Sequence, residues 1–588
     1  MNTEYSQESL NAMRHTAAHL LAKAVLELWP GAHNAIGPSI ENGFYQDFDM
    51  GDVTLTDADL PKIEKKMKEI LPHWEKFAFS EITLDEANKL FSHNPYKLQL
   101  AEEFAAGGKK LLTNDPGNFL DLCKMGHVEN PSKELKHVKL LSIAGAYWRG
   151  NEKNNMLTRV YGTAFPTKEE LDQYLWQIEE ARKRDHRKLG KELDLFAFSD
   201  LVGPGLALWT PRGTLLRQLV DEYVWNLRYQ KGYQRVTIPH ITKKELYERS
   251  GHWEKFQDDL FKITTREGHE FAMKPMNCPH HTQIYARKPH SYRDLPQKYA
   301  ETTMCYRDEQ TGELHGLSRV RAFTQDDAHV FCRNTQIKEE VLLIWDIINT
   351  FYTTLGFDNL RIRLSLHDPL KMQQYLGEEK LWRATEDQLR EITRERDKNI
   401  VEALGEAAFY GPKLDFMAKD SIGREWQVAT IQIDFTQPER FDLTCINEEG
   451  EHERIFMIHA AIMGSIERFL SIYMEHCGGA FPLWLSPVQV ALLPVSEKYI
   501  SFAEAFGKKL QSSGIRIEVD STNESVGKKV RNATSLKVPY IIVMGEQETT
   551  SDRISVRVRG KKEALTIDTN TWISHIHGLI QKRSLLLE

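Results

Sequence analysis

Two histidines four residues apart, His15 and His19 in RHTAAHLLAKAV, share one face of any helix built there, and DLCKMGHV repeats the spacing with Cys123 and His127. Four soft ligands in two pairs suit a zinc ion; unrelated surface histidines are the alternative with similar weight. A second chemistry-bearing stretch is CYRDEQTGELHGLSRVRAFTQDDAHVFC, residues 305 to 332, with arginines at 307, 319 and 321. A guanidinium offers its donors in a rigid fork that fits phosphate or carboxylate, so these three could clamp an anion. They could also be the solvated arginines of a surface hairpin. Basic runs recur in Arg182, Lys183, Arg184, Arg187 and Lys188, and again in DSTNESVGKKVRNATSLK and RISVRVRGKK. The last two are what an RNA-binding face requires, or else a solvated helix and strand.

The elements that must position these groups fall into several domains. At 588 residues the chain is too long for one hydrophobic core. Its 41% hydrophobic and 27% charged residues are those of a globular protein. No apolar run could span a bilayer, and the first residues lack a secretory pattern, so no membrane association and a cytoplasmic location are expected. Six scattered cysteines exclude a disulfide framework. The net charge of −8 argues against a polyanionic partner unless the local basic clusters carry that role.

Residues 1–165 mix helical periodicity, as in His15 to Leu28, with short strands, the turn-rich GAHNAIGPSIENGFYQDFD and the small-residue segment AGAYWRGNEKNN, which predicts an α+β domain. Residues 166–195 have the composition of a basic linker helix, either simply solvated or also meeting RNA backbone. From 196 to 484 strands such as MKPMN, YAETTMCYR, RVRAFTQ and ATIQIDF alternate with helices irregularly, which predicts a largely antiparallel sheet. Neither GxGxxG nor GxxxxGK[ST] is present, so the familiar phosphate loops are missing. From 485 to 588 apolar strands alternate with helices as in a small α/β domain with a mostly parallel sheet.

The 305–332 segment closely resembles the second motif of class II aminoacyl-tRNA synthetases: an arginine and a glutamate on one strand, a variable loop, and a phenylalanine on the next strand. LHGLSRVRAFTQDDAH and the upstream KPMNCP resemble the threonyl-tRNA synthetase family in particular, and the likeness runs from about residue 10 to the end. IHAAIMGSIERFL is similar to the third motif, and LVDEYVWNLRYQKGYQRVTIPHI, 219–241, to the first, which implies a homodimer. The resemblance implies that Arg307 holds the ATP α-phosphate and the amino-acid carboxylate, Glu309 the adenine amino group, Phe323 the adenine face and Arg319 the distal phosphates. Gly464 would lie beside the nucleotide with Arg468 one turn on, and Lys413 would meet phosphate. Asp327 would bond the threonine hydroxyl, Gln325 and Tyr410 would flank the amino group, and Gln427 and Gln432 would lie on the substrate strand.

Cys278, His329 and His459 lie too far apart for spacing to select them among 22 histidines. By resemblance alone they would hold one zinc ion, completed by the substrate's amino and hydroxyl groups, with Mg²⁺ accompanying ATP. Two positions depart from the family: His280 and Ala429 stand where glycine is common. His280 is not expected to be a ligand.

In the N-terminal domain the resemblance turns His15, His19, Cys123 and His127, with Lys97 and Asp121, into an editing site that orients water and the ribose of a misacylated tRNA end, usually without a stably bound metal. Lys124, Met125 and Gly126 differ from the family's Arg-Gly-Pro there. The small ubiquitin-like domain that many members carry ahead of this one is expected to be absent. At the C-terminus the likeness is to an anticodon-binding domain, with Asn523, Arg531, Glu548 and Arg557 expected to read unstacked bases. The implied partners are ATP, L-threonine and threonine tRNA. A prolyl enzyme fits less well, because the Cys278 trio and the N-terminal histidine pairs would go unexplained; a non-catalytic RNA-binding relative conflicts with intact Arg307, Glu309 and Arg468.

Overall fold

The computed structural model describes residues 6–123, 126–397 and 400–588. Lys124 and Met125, two of the departures noted above, lie outside the described residues. The chain divides into two compact units, Met1–Glu179 and Glu180–Glu588, with the division falling inside the linker helix.

In the first unit the helix Gln7–Leu28 starts at Ser6, whose hydroxyl accepts the Ser9 N–H at 3.2 Å. Its buried face is rich in alanine (Ala17, Ala18, Ala22, Ala24), so the backbone packs close to an antiparallel sheet built on the strands Gly43–Asp49, Met156–Phe165 and His137–Tyr147. Within the sheet Gly162 leaves room for the Phe44 ring of the neighbouring strand, which a Cβ there would meet at 2.5 Å. The AGAY of the small-residue segment continues the His137–Tyr147 strand, and the chain turns after it, from Trp148–Gly150 onward. Cys123 lies just past the short strand Asp121–Leu122, not on a helix, so its spacing to His127 has a different geometry from the His15–His19 pair.

The linker is two helices, Lys168–Arg184 and His186–Glu192, broken at Asp185, whose carboxylate accepts the Arg187 N–H at 2.8 Å. Arg182, Lys183, Arg187 and Lys188 are exposed, as a solvated linker requires, but His186, Leu189 and Gly190 are buried. The helix Pro211–Tyr229 follows, capped by Thr210; it begins earlier than the first-motif segment, and the strand after it is only Gln234–Arg235.

The second unit is organised by an eight-stranded sheet. Its order is Gln234–Arg235, Gln297–Tyr306, Ala322–Cys332, Phe456–Ser465, Glu425–Asp434, Lys413–Lys419, Arg361–Leu366 and Val401–Leu404. Pairing is antiparallel except at the two outermost pairs. The helices Pro211–Tyr229, Ile337–Thr354 and Ile466–Cys477 contribute to its main core. MKPMN, 273–277, is not the strand expected: only Met273 belongs to one, Glu270–Met273, and that strand joins a separate three-stranded sheet with Ile241–Lys243 and Lys262–Thr264, while Pro275 has no N–H to give a ladder. The C-terminal sheet, order Ile517–Val519, Val490–Pro494, Tyr540–Met544, Arg553–Val558, Ala564–Asp568, is half parallel and half antiparallel, not mostly parallel, because its last two strands are joined by short connections instead of helical crossovers. Among the described residues no helix is long and apolar enough to cross a membrane.

Candidate active site

Alternation along Ala322–Cys332 puts Phe323, Gln325, Asp327 and His329 on one face of the central sheet. The neighbouring strands extend that face: His329 stands opposite His459, and His459 opposite Gln432. A register shift between Asp326 and Ala328 marks a bulge in the neighbouring strand, where Ala461, Ile462 and Met463 stand against the single Asp327. One cavity is lined by Met276, Cys278, Cys305, Arg307, Phe323, Gln325, Asp327, Tyr410, Thr430, Gln432 and His459.

At its floor the Cys278 sulfur and ring nitrogens of His329 and His459 all lie within 4.8 Å of one another, and all three residues are buried. Each histidine is held from behind. His329 Nδ1 lies 2.7 Å from His281 Nδ1, and His459 Nε2 is 2.9 Å from Asp434 Oδ2, which leaves His329 Nε2 and His459 Nδ1 facing each other at 3.1 Å. Burial pushes the Cys278 thiol well above its ordinary range and His329 well below its own. Two imidazole nitrogens beside a buried thiol that needs a cation to ionise are a donor set that fits zinc. His280 is not part of it: among the described residues both its ring nitrogens lack a hydrogen-bond partner, and its ring lies 6.2 Å from that of Tyr247. His281 and Asp434 had no signal in the sequence beyond their neighbours.

Above this floor Arg307 lies with its guanidinium carbon 5.3 Å from the Phe323 ring and 5.5 Å from that of Phe256, and its Nε is buried without a partner among the described residues. An unpaired cationic donor in a cleft is suited to an anion. Asp327 accepts from Asn277 Nδ2 at 3.1 Å, and the Tyr410 hydroxyl donates to Gln432 Oε1 while its ring stacks on His459 at 4.9 Å. On the loop, Arg319 pairs with Glu309 at 2.7 Å and with Glu313 at 3.0 Å. Gly464 takes φ 66° at the end of its strand, and Arg468 follows in the first turn of Ile466–Cys477, with its N–H capped by Ser465 and its guanidinium unpaired among the described residues. Lys413 and Gln427 do not line the cavity; both engage the buried Asp415, at 2.6 and 2.7 Å. Ala429 is buried in the sheet core.

Behind the face, Arg228 from the Pro211–Tyr229 helix donates to Asp326 Oδ1 and, at 3.1 Å, to the Ala460 carbonyl. The other Asp326 oxygen accepts the N–H groups of Ile462 and Met463, both at 2.9 Å. A fully buried ion pair thus fixes the residues next to Asp327 and His459.

The first unit brings together His15, His19, Cys123 and His127, all ligand atoms within 4.8 Å. The Cys123 sulfur is 3.1 Å from both His15 Nε2 and His19 Nε2. Burial pushes His127 down to about 3 and His19 well below its ordinary value. Lys97 pairs with Asp121 at 2.7 Å, and Asp121 lies 3.6 Å from His19 Nδ1. Asn114 and Thr16, missed in the sequence, bracket His127 at 2.6 and 3.2 Å.

In the C-terminal sheet Arg557 stands opposite Ile541, which packs with Ala533 of the helix Val526–Ser535, so Arg557 and that helix share one side of the sheet. Arg531, Asn523 and Arg557 are exposed, and Glu548 accepts the Gly545 N–H at 3.0 Å.

Residues 261–477 match the tRNA synthetase class II core domain (G, H, P, S and T), and residues 489–578 the anticodon binding domain. The threonine–tRNA ligase of Porphyromonas gingivalis is 48% identical over 559 residues, 94% of this chain and 85% of that protein. That of Cytophaga hutchinsonii is 45% identical over 580 residues, 98% of this chain and 90% of that protein. Among solved structures, the RNA binding domain of threonyl-tRNA synthetase from Cryptosporidium parvum aligns with TM-score 0.64 and 34% identity, covering 67% of this chain and 98% of that one. Prolyl-tRNA synthetase from the same organism, TM-score 0.54 at 16% identity over 68% of this chain and 76% of its own, shares the fold. On this identity over nearly its whole length, the chain belongs to the threonine–tRNA ligase family.

Proposed function

We propose that the chain activates L-threonine with ATP·Mg²⁺ and transfers it to threonine tRNA, and that the first unit hydrolyses seryl-tRNA formed in error. The observation that supports this most is the convergence of Cys278, His329 and His459, the first and last of which line one cavity with Arg307, whose buried Nε has no partner among the described residues. Cys278, His329 and His459 would hold zinc, which would supply a Lewis-acidic position for the amino and hydroxyl groups of threonine.

Arg307 would receive the threonine carboxylate and the α-phosphate together, drawing nucleophile and electrophile into line. Phe323 would stack on adenine and Glu309 accept its amino group, while Arg319 and Arg468 hold the distal phosphates and Gly464 leaves room for the nucleotide. Glu309 and Arg319 pair with each other here, so nucleotide binding exchanges that surface pair for ligand contacts. Asp327 would accept the hydroxyl hydrogen, with Gln325, Tyr410 and Gln432 around the amino group. Lys413 and Gln427 would act through Asp415, by keeping the substrate strand in place.

Valine lacks the hydroxyl that the site is built to receive, leaving one Asp327 oxygen unmatched, so it should be rejected roughly 10⁴-fold or more. Serine lacks only a methyl, worth about 1 to 3 kcal/mol, which is too little for translation. A second site is therefore needed, and His15, His19, Cys123 and His127, with Lys97 and Asp121 near the tRNA end, are suited to orient water beside a ribosyl ester. Asn523, Arg531, Glu548 and Arg557 would read the anticodon, and the 219–241 region would form a homodimer.

ATP–pyrophosphate exchange measured across all twenty amino acids tests this reading. Exchange should depend on threonine, with serine weakly active and valine inactive. Equal exchange with valine, or a preference for another amino acid, would overturn it.

A further inference from the structure

We propose that His186 is a positioning residue for ATP recognition, fixing the loop between Arg307 and Arg321 by accepting the backbone N–H of Leu317. This rests on the reading of Arg319 as a phosphate ligand given above.

His186 lies in a segment whose composition suits a solvated linker, yet it is 0% exposed. Its Nε2 is 3.0 Å from the Leu317 nitrogen. A backbone N–H can only donate, so Nε2 bears the lone pair and Nδ1 the hydrogen. Nδ1 donates to Glu475 Oε1 at 2.7 Å, and the His186 backbone N–H donates to the same oxygen at 3.1 Å. The second Glu475 oxygen lies 2.6 Å from Arg424. Imidazole orientation and tautomer are therefore set by one fixed carboxylate.

The loop is shaped to receive this ring. Gly316 takes φ 51°, and a Cβ there would come within 2.2 Å of His186 Nε2. Leu317 is fully buried, and Ser318 meets Ser471 at 3.0 Å between hydroxyls. Arg319 comes two residues after Leu317, too few for the loop to absorb a shift before the guanidinium moves. Glu475 belongs to the same helix as Arg468, Ile466–Cys477. One buried ring thus ties together the two elements that carry the candidate phosphate arginines.

The two ring nitrogens can be tested separately in the full chain. His186→Asn keeps a donor at the Nδ1 position but removes the acceptor for Leu317, whereas His186→Gln places an amide oxygen near the Nε2 position. With one buried N–H left unpaired, the KM for ATP in threonine-dependent exchange should rise about tenfold in His186→Asn. The KM for threonine should stay within about twofold. His186→Gln should recover most of the ATP affinity, and hydrogen exchange at the Leu317 amide should accelerate in the Asn variant and slow again in the Gln variant. Equal ATP KM values for the two variants, or a loss confined to threonine, would overturn the proposal. So would a Leu317 amide that exchanges in the wild type as fast as an exposed loop amide, a result that needs no variant to fold. Arg319→Ala separates the two levels: an unchanged ATP KM there removes the site reading and this inference with it. An ATP KM raised by Arg319→Ala but not by His186→Asn removes the inference alone.

Discussion

Mild acid should loosen the first unit, because it buries histidines against one another. Burial, with repulsion from His15, holds His127 at about 3; burial holds His19 well below its ordinary value, with His127, His15 and Lys97 acting in the same direction. His15 is lowered by burial as well. Asp121 opposes the effect at His15, but its charge is already matched by Lys97 at 2.7 Å. In the unfolded chain each imidazole titrates near about 6.5. Between the folded and unfolded values the unfolded state binds more protons, so stability is lost as pH falls below the unfolded value. For His127, with a folded value of about 3, moving from about pH 7 to about pH 5 removes about 2 kcal/mol. His19 and His15 add with the same sign, a large part of the roughly 5 to 15 kcal/mol typical of a domain. Native-state hydrogen exchange in low denaturant, followed on peptides from Gln7–Leu28 and corrected for intrinsic rates, would read this loss. His127→Gln should reduce the loss by about 2 kcal/mol. Equal stability at the two pH values, or a loss undiminished in the variant, would refute the reasoning.

The remaining expectations concern the other sites. Asp326→Asn leaves Arg228 buried without its counter-charge and should destabilise the second unit by about 3 to 5 kcal/mol in urea unfolding; a change below about 1 kcal/mol would count against a structural role. Elemental analysis should find one zinc per chain, lost in Cys278→Ala together with threonine activation but not ATP binding; full threonine-dependent exchange in metal-free protein would contradict the zinc reading. His19→Ala combined with Cys123→Ala should leave threonine charging near normal while abolishing hydrolysis of preformed seryl-tRNA, so equally fast deacylation by wild type and variant would show that the first unit has another role. Arg557→Ala should weaken aminoacylation and spare amino-acid activation, an outcome that parallel loss of both steps would exclude.

Groups related by a local period were legible in the sequence, and groups related only by the fold were not. Phe323, Gln325, Asp327 and His329 are alternate residues of one strand, so a single assignment of strand to residues 322–332 already places them on one face. The strand–loop–strand order around Arg307 and the strand-to-helix step at Gly464 are local in the same sense. His281 reaches His329 across 48 residues, Asp434 reaches His459 across 25, and His186 reaches Leu317 across 131, and no periodicity encodes such pairings. The linker misleads for a related reason: its run of helix formers hides the break at Asp185, where an aspartate cap starts a second helix and turns His186 inward. Lys413 and Gln427 sit on strands that lead to the cavity, but both are drawn to the buried Asp415. These illegible residues share one physical property. His281, Asp434 and His186, and the Asp415 that holds Lys413 and Gln427, are buried polar groups, each of which would cost roughly 1 to 3 kcal/mol or more if left unpaired. The core can therefore close only when His281, Asp434, Glu475 and Asp326 have found their partners. Those partners include His329, His459, the carrier of the 307–321 loop, and the backbone beside Asp327. Folding thus aims the donors before any ligand arrives, and little reorganisation is left to oppose binding.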